Sequence, residues 1–350
     1  MEAEKIVAIA LSGGVDSAVS ALLLKKGLVI PEPCRLIGVT FWLFDGQEKY
    51  LEKARSVAQF LGIEHQIFDL RALFKERVIK AFLEGYLQGI TPNPCALCNR
   101  LFKFGIVPEL VKANLKAHYY ATGHYVRKAE YKGYPLLKVS ANRAKDQSYF
   151  LALIKRDIIP QLIFPVGTFT SKEEVKKLAL AEGLSFSQES ESQDVCFLQG
   201  RSLREYLREH FKESEGEIIY KGKVVGKHKG FYFYTIGQRK GLNVPLGRPL
   251  YVIRIDAENN RIYLGEEEEL ARDTFWLEDI NFHLPFERWG EVTLQVRYRS
   301  ERVPLLKLSQ VGPRWHVLLA KPVKRVTPGQ VCAFYEGDLL LGGGIIAKDI

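Results

Sequence analysis

The sequence predicts an α/β fold: an N-terminal phosphate-loop domain with a parallel sheet and flanking helices, a small mixed central domain, and a C-terminal antiparallel β-barrel. Three observations carry that expectation. Short β-branched runs alternate with helical patterns up to about residue 199. The rhythm then changes to short strands punctuated by Gly216, Gly222, Gly226 and Gly230. From about Trp276 the pattern is all strand, broken by Pro285, Pro304, Gly312-Pro313 and Pro328-Gly329, as a small barrel requires. Domains are expected at 1–199, 200–275 and 276–350, and a chain of 350 residues suits two or three of them.

In order, residues 6–11 form an apolar strand ended by Gly13-Gly14, and Ala18–Lys26 is a helix closed by Gly27. Arg35–Leu43 is a second strand, Lys49–Leu61 a helix, Glu64–Leu70 an alternating strand and Leu73–Leu87 a helix. A further helix is expected over Leu101–Ala117 and a strand over Tyr119–Val126. Such alternation implies right-handed crossovers on a parallel sheet. Ser171 with Glu174 three residues on is a capping-box start for a helix that reaches Glu182 and stops at Gly183. Ser202–Phe211 is the helix that opens the central segment, and Glu266–Glu269 reads as a solvated turn.

Composition excludes several classes. Hydrophobic residues make up 47% and charged residues 26%, so a disordered or collagenous chain is ruled out. No apolar run approaches the ~18 residues of a membrane span. Met1–Lys5 carries Glu2, Glu4 and Lys5 and lacks the features of a signal peptide, which makes the cytoplasm the expected location and a membrane an unexpected partner. Five cysteines (Cys34, Cys95, Cys98, Cys196, Cys332) are too few for a disulfide framework and read as packing, metal-binding or catalytic thiols. The net charge of +9 fits a polyanionic partner. Two windows concentrate it. Lys221–Lys240 interleaves basic side chains with Phe231, Tyr232, Phe233 and Tyr234, and Arg297–Arg325 is basic apart from Glu301. Either could be a solvated strand face; two aromatic-rich windows in consecutive segments favour a nucleic-acid track.

The most specific local signal is Ala10-Leu11-Ser12-Gly13-Gly14-Val15-Asp16-Ser17, directly after the first strand and opening the first helix. Adjacent glycines let the backbone approach a ligand, and the helix N-terminus adds positive dipole, so the loop suits a phosphate or pyrophosphate. No Gly-Lys-Ser/Thr follows, which excludes the Walker A loop, and no third glycine follows as a dinucleotide fingerprint needs.

Thr91-Pro92-Asn93-Pro94-Cys95-Ala96-Leu97-Cys98-Asn99-Arg100 is the second unusual stretch. Two prolines stiffen it, and the Cys-x-x-Cys is expected just before the helix near Leu101. A thiol at a helix N-terminus near Arg100 and Lys103 should have its pKa lowered, making it a nucleophile. A zinc knuckle or a structural pair are the other readings, although no second Cys-x-x-Cys supplies a full zinc set. Gln193-Asp194-Val195-Cys196-Phe197 is the third stretch; alone, Cys196 would be a packing residue.

Ser12-Gly-Gly-Val-Asp-Ser17 resembles the PP-loop of the ATP pyrophosphatases, which break ATP between the α and β phosphates. With Asn93-Pro94…Cys98-Asn99, Ala121-Thr-Gly-His124, Lys145-Asp-Gln-Ser-Tyr149, Gln193-Asp-Val-Cys196-Phe and Thr235-Ile-Gly-Gln-Arg-Lys-Gly241 in that order, and Pro328-Gly-Gln330 and Leu341-Gly-Gly-Gly344 near the end, the whole chain resembles the bacterial tRNA-specific 2-thiouridylases. The resemblance implies ATP-dependent replacement of the C2 oxygen of the tRNA wobble uridine by sulfur. ATP with Mg²⁺ would adenylate that oxygen, and sulfur would arrive as a persulfide from a cysteine desulfurase through carrier proteins. By similarity Cys196 carries the persulfide and Cys98 is the partner nucleophile, leaving a Cys98–Cys196 disulfide for reduction.

Other roles follow by position. Residues 10–17 would hold the departing pyrophosphate, with Asp16 near Mg²⁺ and Ser12 and Ser17 donating to phosphate. Phe41 and Gly123 fall at adenosine positions. Asn93, Pro94 and Cys95 would contact a flipped target base, and His124, Lys145, Asp146, Gln147, Arg297, Tyr298 and Gln330 fall at tRNA-contacting positions. No resident metal is implied. The chain departs from the pattern at Cys95, where many members carry an acid, and at Thr40-Phe-Trp-Leu-Phe after the second strand. Cys34 and Cys332 match no functional position. A small-molecule adenylase and a zinc-dependent RNA-binding protein remain as other readings; neither accounts for both the loop and the thiols.

Overall fold

The computed structural model describes residues 4–30, 32–184 and 195–348. Its N-terminal part is built on β1 (Lys5–Ala10), α1 (Val15–Lys25), β2 (Cys34–Trp42), α2 (Glu48–Leu61) and β3 (Glu64–Asp69). A long helical run follows as α3 (Arg71–Phe74), a π-helical stretch Lys75–Ile79 and α4 (Lys80–Leu87). A second comprises α5 (Pro94–Leu97), π-helical turns over Cys98–Ile106 and α6 (Val107–Leu115). Then come β4 (Tyr119–Ala121), the hairpin β5 (Val126–Tyr131) and β6 (Tyr134–Val139), the short β7 (Leu162–Ile163) and α7 (Lys172–Ala181). The parallel sheet runs β3-β2-β1-β4-β7. Chain order therefore reverses between β1 and β4, and ligands of such sheets bind outside the carboxyl ends of the strands at that point.

β1 is buried on both faces, with Val7, Ala8 and Ile9 fully inaccessible, which is why its run is continuous rather than alternating. On one face α1 and α7 pack Ala18, Val19 and Leu22 with Val175 and Ala179; on the other, Phe74, Phe82, Phe102 and Phe104 fill the space beneath the two helical runs.

The middle segment has α8 (Leu203–His210), opened by a reciprocal Ser202–Glu205 capping box. Its sheet contains β8 (Gly216–Tyr220), β9 (Lys223–His228), β10 (Tyr251–Asp256) and β11 (Arg261–Gly265) in the order β10-β11-β8-β9, with only β11–β8 parallel. The last part contains β12 (Ala271–Phe282), β13 (Thr293–Gln295), β14 (Val303–Val311), β15 (Arg314–Lys324), β16 (Val331–Glu336) and β17 (Leu339–Ile346). These pair antiparallel around a ring that closes where Leu277 of β12 meets Ile346 of β17, so the barrel has no open edge there.

Three local expectations change. The helix expected from Leu101 begins at Pro94: Asn93 Oδ1 accepts from the Ala96 N–H at 3.0 Å, and Pro94 takes the first helical position, where its missing donor costs nothing. Both thiols of the Cys-x-x-Cys thus lie inside the helix. The strand expected over Tyr119–Val126 stops at Ala121, and from Val126 the chain leaves the parallel sheet as the β5–β6 hairpin. Lys138 and Leu137 of β6 pair with Leu339 and Leu340 of β17, tying the N-terminal part to the barrel. At α7, Ser171 Oγ accepts from the Glu174 N–H, but the Glu174 carboxylate binds the Thr170 N–H and hydroxyl instead of closing a reciprocal box.

Candidate active site at the carboxyl edge of the parallel sheet

The loop after β1 is shaped by its glycines. Gly13 has φ of +77°, and a Cβ there would lie 2.7 Å from the Tyr50 carbonyl oxygen. Only glycine satisfies both constraints. Gly14 is the N-cap of α1 and is exposed, with no atom nearer to its Cβ position than Ser12 Oγ at 3.5 Å. Ser17, almost fully buried, braces the loop from inside: its hydroxyl donates to Gly14 O at 2.9 Å and accepts from the Ser12 N–H at 3.1 Å. The Ser12 side chain is the exposed hydroxyl. Leu11 is anchored through its N–H on Val39 O, and Thr40 Oγ1 donates to Leu11 O, so Ala10–Leu11 cannot shift relative to β2. Val15 and Asp16 form the first turn of α1. The first turn of a helix leaves N–H groups without intrahelical partners, and with Ser12 and Gly14 exposed beside it the loop suits a phosphate group.

Gly123, just past β4, closes the other side. A Cβ at Gly123 would sit 2.9 Å from Ser17 N and 3.0 Å from the Asp16 carbonyl carbon, so the tip of β4 presses directly on the loop. Phe41, near the end of β2, is 9% exposed, with its ring stacked on Phe68 at 6.1 Å; little of that ring is open to an adenine.

The thiols gather on the neighbouring ground. Cys95 and Cys98 are three residues apart in one helix and so share a face, with Cα atoms about 5 Å apart in helical geometry. Gly105 allows the π-helical winding that begins at Cys98, since a Cβ there would meet Arg100 O at 2.6 Å. Asn99 Nδ2 donates to Phe150 O at 3.2 Å and fixes this helix to the 3-10 turn Ser148–Leu151. Cys196 sits on a single 3-10 turn, Cys196–Leu198. Phe197, beside it, packs edge-on to Phe82 at 5.3 Å and Phe74 at 6.2 Å, while Phe102 reaches the same Phe74 at 5.6 Å. Gln199 bonds Asp45 O in the loop after β2. Gln193 and Asp194 of the same motif lie outside the described residues.

Cys95, Cys98, Cys196 and Lys103 act on one another electrostatically, so the three thiols form one cluster around one ammonium. All three are free; Cys95 and Cys196 are exposed and Cys98 is buried. The expectation of a lowered thiol pKa is overturned. Burial pushes Cys98 up to about 12, with Lys103 pulling the other way. Cys95 and Cys196 are raised too, again by surrounding protein first, although both side chains are exposed. Arg100 does not help, because its guanidinium pairs with Asp279 on β12 at 3.1 Å. Burial works against the charge of Lys103, yet the sulfurs of Cys98, Cys196 and Cys95 hold its pKa above normal. A thiolate here is scarce in the resting protein and is supported by one cation. Among the described residues, no group of three or more His, Cys, Asp or Glu side chains is placed to hold a metal ion.

His124 links the two halves. It follows Gly123 and hydrogen-bonds Thr122 Oγ1 at 2.8 Å, and burial together with the nearby Lys103 pushes its pKa down to about 3. It is therefore a neutral imidazole at physiological pH, wedged against Phe104 at 5.3 Å. Asp146 and Gln147 are committed to the scaffold. The Asp146 carboxylate accepts from the Ser140 N–H and the Ser148 hydroxyl, and Gln147 exchanges two hydrogen bonds with the Tyr125 backbone. Lys145 ends the 3-10 turn before them. Gln330 donates to Thr91 O at 2.8 Å, bringing the barrel loop 327–330 against the segment that leads to Asn93. Tyr298 packs on Phe150 at 4.5 Å, and the adjacent Arg297 is exposed. The aromatic residues of the first basic window are core: Phe231, Tyr232, Phe233 and Tyr234 are all less than a tenth exposed and cannot stack on bases. In that window Lys221, Lys227 and Lys229 pair with Glu266, Glu215 and Glu213.

Sequence reasoning missed one side chain outright, Lys172, and named Lys103 only as a charge near the cysteine motif. Lys103 is three positions past the Asn-Arg that ends the cysteine motif, and its role as the common neighbour of three thiols needs the fold to be seen. Lys172 is buried and donates to both Asp16 carboxylate oxygens at 2.6 Å. No spacing rule connects residues 156 positions apart.

The chain matches three family models in series: a tRNA methyl transferase HUP domain over residues 5–200, a tRNA methyl transferase PRC-barrel domain over 204–266, and an aminomethyltransferase β-barrel domain over 272–346. It is 44% identical over 359 residues to the tRNA-specific 2-thiouridylase MnmA of Aquifex aeolicus, covering 98% of this chain and 99% of that one. It is 43% identical to the protein of the same name from Persephonella marina, over 97% and 99% of the two chains. A third, from a Hydrogenobaculum species, is 40% identical over 98% and 100%.

Proposed function

Given that the chain belongs to the tRNA-specific 2-thiouridylases, we propose that it is an ATP-dependent sulfurtransferase that replaces the C2 oxygen of the tRNA wobble uridine with sulfur drawn from a persulfide on Cys196. One observation supports this reading above the others: an exposed N–H cradle and a three-thiol cluster flank the same β4 tip, where Gly123 touches the loop and His124 and Tyr120 feel Lys103 and Cys98. A reaction with a nucleotide step and a sulfur step needs both within reach of one base.

The chemistry divides accordingly. A uridine oxygen is a poor leaving group. Attack by O2 on the α-phosphorus of ATP forms an O–P bond, and the electron pair of the broken bond leaves with pyrophosphate. Residues 10–17 bind that pyrophosphate through backbone N–H groups and Ser12; Mg²⁺ would enter with ATP, and the Asp16 carboxylate, bonded on both oxygens by Lys172 and on one by the Tyr125 hydroxyl, does not fit it as a free ligand. Gly123 admits the nucleotide beside the loop, and Phe41 contributes backbone at the adenosine edge. The outer sulfur of the Cys196 persulfide attacks C2 and AMP departs. The Cys98 thiolate then attacks the Cys196 sulfur, releasing 2-thiouridine and leaving a Cys98–Cys196 disulfide for a reductant. A sulfide route, in which Cys98 first frees HS⁻ from the persulfide, ends at the same disulfide.

Asn93, Pro94 and Cys95 face the base, which must leave the anticodon stack to reach them. His124, Lys145, Asp146, Gln147, Arg297, Tyr298 and Gln330 line the approach of the tRNA, with Asp146 and Gln147 shaping the surface rather than offering free side chains. A carrier protein relaying sulfur from a cysteine desulfurase would load the exposed Cys196, in the cytoplasm, where thiols stay reduced. Among the described residues, no helix is long and apolar enough to cross a membrane.

The test is mass spectrometry of tRNA nucleosides after incubation with protein, ATP, Mg²⁺ and a sulfide source. Wild type should produce 2-thiouridine, and Cys196→Ser should lose the persulfide route while still binding tRNA. Full thiolation by Cys196→Ser, with sulfur supplied only by a desulfurase relay, would refute the assignment.

A further inference from the structure

Residues 10–17 contain no lysine or arginine, although a departing pyrophosphate concentrates negative charge on the loop that holds it. The fold brings a cation from elsewhere. Lys172, the first residue of α7, is 6% exposed, and its ammonium donates to Asp16 Oδ1 and Oδ2, both at 2.6 Å. The Tyr125 hydroxyl donates to the same Oδ1 at 2.6 Å, and the ammonium lies 5.9 Å from the centre of the Tyr125 ring. Asp16 is in the first turn of α1, two residues past the Gly14 N-cap, so this ammonium stands just behind the anion cradle.

Its position is held firmly. Ser171 caps α7 immediately before it, and Val175 and Ala179 bury that helix against Ala18, Val19 and Leu22 of α1. Burying a lysine is costly, and a fold that needed only to neutralise Asp16 at a helix N-terminus had a simpler option, since an acid there is already favoured by the dipole. The cation is therefore better matched to a second anion that arrives beside the first.

We propose that Lys172 is a catalytic residue of the adenylation step: its ammonium binds the β-phosphate side of ATP and stabilises the pyrophosphate as the Pα–O bond breaks, with Asp16 holding that charge in place until the nucleotide enters. The bond from uridine O2 to Pα forms as the bond to the bridging oxygen breaks. The electron pair passes to pyrophosphate, and Lys172 donates a hydrogen bond to it without losing its proton. This inference rests on the ATP-dependent reading above and deepens it.

The test uses the full chain in three forms: Lys172→Met, Lys172→Arg, and the double variant Asp16→Asn with Lys172→Met, which leaves no unpaired buried charge if the single variant folds poorly. Inorganic pyrophosphate is titrated by calorimetry, and kcat and KM for ATP are measured with tRNA and sulfide. Persulfide loading of Cys196 serves as a readout remote from the loop. The expected result for Lys172→Met and for the double variant is pyrophosphate affinity at least tenfold weaker and kcat at saturating ATP down by ten- to a hundredfold, with loading of Cys196 unchanged; Lys172→Arg should recover part of both. Wild-type pyrophosphate affinity in the single variant, or a double variant restored to wild-type kcat, would make the pair purely structural and overturn the proposal. Failure of the reading beneath it is distinct: wild-type protein would then form neither AMP nor 2-thiouridine.

Discussion

Replacing Gly123 with Ala separates the nucleotide half of the site from the sulfur half. The new Cβ would lie 2.9 Å from Ser17 N, 3.0 Å from the Asp16 carbonyl carbon and 3.2 Å from Asp16 O, all backbone atoms, where ordinary contact begins at 3.4 Å. Relief needs a shift of about half an ångström between the β4 tip and the loop. Neither side yields easily. β4 is hydrogen-bonded between β1 and β7, and the loop is held by Leu11, Ser12 and Ser17. Overpacking of this kind costs about 1–3 kcal/mol. If the loop gives way, nucleotide affinity falls by roughly 5- to 150-fold, at about 1.4 kcal/mol per tenfold. The assay is titration of a non-hydrolysable ATP analogue alongside urea unfolding, with persulfide loading of Cys196 as the control that should not change. An alanine variant with wild-type stability and an analogue Kd within twofold of wild type would refute the close approach of β4 and loop.

Three further outcomes follow from the geometry. Lys103→Met removes the cation that favours the thiolates, so the pKa of Cys98 and Cys196 should rise further; alkylation of the exposed Cys196 should slow severalfold near pH 8 and recover at higher pH, and an unchanged pH profile would contradict the cluster. Cys95→Ser should keep 2-thiouridine formation within about threefold of wild type while abolishing the Cys95–Cys98 by-product that the ~5 Å Cα separation permits on oxidation; a loss beyond tenfold would assign Cys95 acid–base work. His283, fully buried beneath the barrel, has its pKa pushed down to about 4 by burial. Its contribution to stability is present above about pH 6.5 and lost as pH falls toward 4, to a limit of roughly 3 kcal/mol; His283→Gln should flatten the fall in urea midpoint across that window, and equal slopes would contradict it.

The parts of the site legible in the sequence are those carried by neighbouring residues. The glycine loop, its strand and its helix are contiguous, so the backbone chemistry could be read directly. The helix holding Cys95 and Cys98 begins seven residues before the position its sequence suggests, because two prolines read as a stiff loop whereas Pro94 takes the one helical position that needs no N–H. The thiol pKa moves opposite to the sequence expectation for a related reason: nearby charge and helix dipole are visible in sequence, while the burial that outweighs them is a property of packing. Burial also decides the first basic window, whose four consecutive aromatic residues follow a run of lysines in the chain but are buried in the core. The turn of β5–β6 into the barrel and the arrival of Lys172 at Asp16 depend on tertiary closure, which no local pattern encodes.

Sulfur transfer by this protein requires one pocket in which an activated base meets two cysteines remote in sequence. Its most direct measurement is a single turnover with persulfide-loaded protein, tRNA and ATP in the absence of reductant, quenched with acid and followed by peptide mapping. One Cys98–Cys196 linkage should appear for each 2-thiouridine formed. Formation of 2-thiouridine with both thiols recovered free would contradict it.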